Sequence, residues 1–177
     1  HRQRVADFMR HLGGEQAGTL ATRCELYDQF MKFRQEATLE LYRNQYELFG
    51  SYELGRLKWD FDIGCYFNLW VSAYMQNLHL DPRWLRRQLR MAPFILEALR
   101  DFNRSFRDVA SALRQQGAFW RENRGEFVPG NASLDFLADV GGERSGDEVM
   151  KKNEQIFTSV RSRIASLLDG LPARASG

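Results

Sequence analysis

The sequence predicts an all-α fold: one helical domain over residues 1–177, built as a multi-helix bundle of about five to seven helices. Three observations carry this prediction. Apolar residues recur at helical spacing through most of the chain, and no alternating strand pattern of useful length occurs. The first 81 residues contain no proline, which permits long helices. Apolar residues make up 44% and aromatics 13%, enough for a sizeable core and too much for a disordered chain.

The elements follow in order. Val5, Phe8, Met9 and Leu12 predict a short N-terminal helix over 1–12, stopped by Gly13-Gly14. Thr19 or a neighbour opens a second helix, and Leu20, Cys24, Tyr27, Met31, Leu41, Leu48 and Phe49 carry it to Gly50. Glu36, Glu40 and Glu47 mark its wetter side. A third segment runs from Ser51 toward Leu78 with Gly55 and Gly64 inside it, each about 1 kcal/mol worse than alanine, which predicts a kink or a close crossing. Asp81-Pro82 starts the next helix: the carboxylate accepts from free N–H groups of the first turn, and proline loses nothing at the first helical position. Pro93 is expected to kink or restart that helix. Beyond it Ile95, Leu99, Phe102, Phe106, Val109 and Leu113 alternate spacings of four and three, the seam of a helix packed along its length. Residues 117–133 read as a loop pinned by Phe119, Trp120 and Phe127. A short helix over 133–140 ends at Gly141-Gly142, and Ser145 with Glu148 forms a capping box for a C-terminal helix over about 147–168.

The sequence carries no signature of catalysis, so no enzyme activity and no cofactor are expected. Histidines occur only at 1, 11 and 79, none at the spacing of a metal motif, so no metal is expected either. Asp60-Phe61-Asp62-Ile63-Gly64 has the start of a calcium loop but lacks its remaining ligands. The pairs Glu36/Glu40 and Asp135/Asp139 read as solvated helix surface. Cys24 and Cys65 stand alone and read as buried hydrophobes. Nucleophile elbows and phosphate loops are absent. Leu41-Tyr42-Arg43 matches the tripeptide of the mitochondrial LYR-motif proteins. That family resembles a short bundle with the motif near its start, whereas Leu41 here falls inside the second predicted helix, so the chain is not assigned to it.

Two faces remain as candidate contacts. Arg83, Arg86, Arg87 and Arg90 share one helical face, with no carboxylate from Pro82 to Ile95. Arginine also supplies 21 of the 25 cations, lysine standing only at 32, 58, 151 and 152. Its planar fork suits carboxylate or phosphate. Residues 63–80 contain no formally charged side chain, and Asn68, Ser72, Gln76 and His79 line one face of them. That polar face makes a membrane span unexpected. The sequence therefore predicts a non-enzymatic interaction or accessory subunit that docks within a larger multiprotein complex. One alternative is an RNA- or phosphate-binding subunit using the arginine face 83–90, with anionic lipid as a further partner. The other is a helical enzyme or small-ligand carrier with an aromatic-lined pocket. The net charge of +2 confines any electrostatic contact to a local patch. The chain shows no secretory pattern, which favours an intracellular compartment, organellar if an N-terminal targeting segment has been removed.

Overall fold

The computed structural model describes residues 17–120 and 146–169, with Arg2, Val5, Ala6 and Met9 before them. The 1–12 helix, the rest of the 117–133 loop beyond Trp120, the 133–140 helix and Ser145 of the capping box lie outside the described residues. Among those described, the chain is all-α, with no strand. Four helices pack together: α1 Ala17–Tyr42, α2 Tyr52–Tyr66, α3 Pro82–Gln115 and α4 Gly146–Asp169. The backbone of α2 continues through a π-helical stretch, Phe67–Val71, into Ser72–Met75.

Four is fewer than the five to seven expected, and one local cause lies within the described chain. Pro93 neither ends nor restarts α3, which runs unbroken over 34 residues. The buried seam explains this, because it continues on both sides of the proline through Trp84, Gln88, Ala92, Ile95, Leu99 and Phe102. Burying one such apolar side chain contributes roughly 1.5–3 kcal/mol, so the seam together outweighs the roughly 3 kcal/mol of an interior proline. The second helix also stops earlier than predicted, at Tyr42 rather than Gly50. Asn44 takes a left-handed conformation (φ 56°), which asparagine tolerates better than most residues, and Gln45–Leu48 form a 3₁₀ turn.

Cross-contacts fix the directions. Phe30 meets Trp84 and Glu36 meets Arg100, so α1 and α3 run parallel. Phe61 meets Phe102 and Phe106, while Lys58 lies over Phe106, so α2 runs against them. Asn68 meets Val149 and Asp60 meets Arg163, which sets α4 against α2 and therefore parallel to α3. Short turns suffice for the two antiparallel steps. Asp147 at the start of α4 pairs with Arg87, about 40 Å along α3 from the end of that helix at Gln115. Side chains from all four helices share one apolar cluster, including Phe33, Phe61, Phe102 and Ile156. Gly50 lets Phe119 and Trp120 pack against the α1–α2 turn, because a β-carbon there would collide with their rings.

Candidate functional site

Asp81 caps α3 as expected: its carboxylate accepts from the N–H of Arg83 at 2.8 Å, and Pro82 occupies the first turn. That start fixes the rotation of the helix. Trp84 and Leu85 turn into the core, and Arg83, Arg86 and Arg90 turn outward and are exposed. None of these three forms an ion pair with a described residue. Arg87 is half-exposed and pairs with Asp147 of α4. Several other arginines of the bundle are more fully engaged. Arg100 bonds Glu36 at 2.6 Å, Arg104 pairs with Asp101, Arg43 bonds Glu40 at 2.9 Å, and Arg114 donates to the Glu47 carbonyl at 2.7 Å. Arg56 and Arg163 converge on buried Asp60 at 3.1 and 3.3 Å. Arg107, farther along α3, is exposed and also lacks a described carboxylate. Phe94 follows Arg90 by one turn on the same outward face and is 65% exposed. The sequence reading passed over it, although an apolar residue off the 4-3 seam was visible there.

The second candidate face is turned inward. Asn68, Ser72 and His79 are 1%, 1% and 3% exposed, and Gln76 is half-buried. Asn68 donates its amide to the Val149 carbonyl at 2.9 Å and to the Asn153 amide oxygen at 2.5 Å. Gln76 donates to the Ser72 hydroxyl at 2.9 Å, and His79 lies against Tyr74 with ring centroids 5.0 Å apart. Gln88 of α3, 2% exposed, reaches the Met150 sulfur of α4. This polar layer is therefore internal. Helix α4 meets it at Asn68 and Gln88 and gives Asn68 an amide and a carbonyl partner, which offset the cost of burying that amide. Among the described residues no helix is long and apolar enough to cross a membrane.

A buried ionic cluster lies at the C-terminus of α1. Lys58 is fully buried, donates to the Leu41 carbonyl at 2.6 Å, and pairs with Asp62. Asn103 donates to the neighbouring Glu40 carbonyl at 2.5 Å. Helix α1 has no basic residue in its own last turn. Lys58 supplies the missing positive charge to its terminal carbonyls from α2. Burial lowers the Lys58 pKa and pushes Asp62 up to about 6, with each partner opposing the shift of the other. Burial also raises Cys65 well above the usual thiol range and raises Tyr42. The cluster opens onto neither surface groove described below. Its visible signal was Lys58 itself, four residues after Leu54 and three before Phe61 on a core stripe. Asp60 and Asp62, read in the sequence as a calcium-loop fragment, sit on a helix and engage cations.

Among the described residues, two open grooves lie along α1. One of about 630 Å³ lies between α1 and α3, lined by Phe33, Leu89 and Pro93 and crossed by the Glu36–Arg100 pair. The other, about 990 Å³, follows α1 and is lined by Tyr27, Met31, Leu39 and Tyr66. Cys24 lines it and is exposed, contrary to the sequence expectation, whereas Cys65 is buried. Among the described residues no group of three or more histidine, cysteine or carboxylate side chains is placed to hold a metal. No protein-family model, no curated protein and no solved structure matches the chain.

Proposed function

We propose that the protein is a non-enzymatic helical docking subunit, and that it engages another protein through the outward face of the first half of α3. One observation carries this reading. Arg83, Arg86 and Arg90 keep open guanidinium forks on a rigid, capped helix, while most neighbouring arginines are paired within the chain. Phe94 completes the face with an exposed aromatic. Arginine and aromatic residues are the side chains that dominate binding energy at protein interfaces. The buried polar layer of Asn68, Ser72 and His79 serves the subunit's own packing on this reading, so it is no longer a contact surface.

The test replaces Arg83, Arg86, Arg87 and Arg90 by glutamine and compares the proteins retained from the native source by wild type and variant. The fold should persist, since surface changes stay within about 0.5 kcal/mol, and retention of the specific partner should collapse. Lysine at the same positions should give an intermediate result, because it keeps charge but loses the bidentate fork. Undiminished retention by the glutamine variant would remove this face as the docking site. If the retained species were RNA, with binding falling steeply with salt, the phosphate-binding alternative would replace the reading.

A further inference from the structure

The outward stripe of α3 changes sign along its length. Positions 83, 87, 90, 94, 97 and 101 alternate spacings of four and three, so they form one straight seam opposite the buried one. Its occupants are Arg83, Arg87, Arg90, then Phe94, then Glu97 and Asp101. Arg83, Arg90, Phe94 and Glu97 are exposed, and Asp101 is half-exposed. The basic half precedes the aromatic and the acidic half follows it.

We infer that this seam is self-complementary and that its partner is a second copy of the chain, with the two α3 helices antiparallel about a two-fold axis at Phe94. The inference rests on the docking reading above and names the occupant of that face. In an antiparallel pair, position 94+n of one copy opposes 94−n of the other. Glu97 then lies beside Arg90 of the second copy, Asp101 opposes Arg87, and the two Phe94 rings meet at the axis. Each contact occurs twice, as an isologous interface requires. Within its own chain Asp101 already pairs with Arg104 and Arg87 with Asp147, so the open charges of the interface are Arg90 and Glu97, and the Asp101–Arg87 contact forms only by exchange of those partners. A uniformly acidic partner or a flat anionic membrane fits the basic half equally well. Either would bring negative charge against the open Glu97, where like charges repel. The antiparallel copy meets opposite charge in both halves.

The seam spans six positions with one aromatic at its centre, which is less than the roughly 1,200–2,000 Å² of a stable interface. Association is therefore expected to be weak, concentration-dependent and salt-sensitive.

Analytical ultracentrifugation of the full chain over a wide concentration series tests this. At low salt the mass should rise from 20.7 kDa toward twice that value, and at high salt it should fall back. Arg90→Glu and Glu97→Arg should each weaken the dimer about tenfold or more by setting like charges together. Combining both swaps in one chain should restore it, and mixing the two single variants should give a heterodimer. All these positions are exposed, so circular dichroism should stay unchanged. A wild-type chain that stays monomeric throughout would overturn the inference, as would a dimer indifferent to the swaps or not restored by the double swap. The docking reading fails separately. A monomeric chain that still loses a co-purifying protein on glutamine replacement keeps that reading, and one that loses nothing sinks both. Low-salt co-sedimentation of the monomer with RNA or anionic vesicles would assign the stripe to those partners instead.

Discussion

Lys58 and Asp62 show how a charged pair is held inside an apolar core. Lys58 reaches the Leu41 carbonyl and Asp62 together, so removing its ammonium leaves a buried carboxylate and a helix terminus unsatisfied. Lys58→Met should therefore cost about 3–5 kcal/mol in urea unfolding. Lys58→Met with Asp62→Leu should recover most of that loss, because desolvation of the pair then disappears with its attraction. A single variant as mild as the double would show that the pair is not buried as described. The pH dependence follows from the same desolvation. Asp62 titrates near 6 in the folded chain against 3.8 for the free side chain, so the folded state holds this proton more tightly. Its contribution to stability is fully present below pH 3.8 and is lost as pH rises through 6. The stability difference between wild type and Asp62→Asn, which cannot titrate, should therefore move against wild type by on the order of 2–3 kcal/mol between pH 4 and 7. A flat difference across that range, in urea midpoints measured pairwise, would contradict it.

Among the elements, α3 organises the bundle. Phe102 is 2% exposed and stacks near Phe61 and Phe157, so Phe102→Ala should cost about 3–5 kcal/mol. A loss within about 0.5 kcal/mol would place the ring at the surface. Pro93 is exposed within an unbroken helix, so Pro93→Ala should raise stability by about 1–3 kcal/mol by restoring an N–H toward the Leu89 carbonyl. A decrease would mean that the ring is needed in the α1–α3 groove. The seam from Ile95 to Leu113 was legible because its spacing repeats without interruption, and the Asp81-Pro82 cap was legible because both residues act locally. The continuity through Pro93 was not legible, because a local breaker lost to packing on both of its sides. The stop at Tyr42 was hidden because no glycine or proline stands at Asn44. The face of Asn68 and Ser72 was found, but periodicity groups residues on a face without saying what covers it. Asn153, on the otherwise apolar stripe of α4, was the visible half of that buried pair.

At the scale of the molecule, the helix directions and the internal polar layer leave the face of Arg83, Arg86 and Arg90 without an ion pair among the described residues. Three helices run one way and α2 runs the other, which places α4 beside Asn68 and binds its amide. The candidate site was legible as a set of arginines. Which of them were open was not, because Asp147 is distant in sequence and Glu36 and Glu40 belong to another helix. The proposed docking requires that Arg83, Arg86 and Arg90 meet another protein. Arginine-selective labelling read by peptide mass spectrometry tests it most directly, on the purified dilute chain and on the chain in its native assembly. These three should label readily in the isolated chain and be protected several-fold in the assembly, while exposed Arg107 on the same helix labels equally in both. Equal labelling of Arg83, Arg86 and Arg90 in the two samples would contradict it.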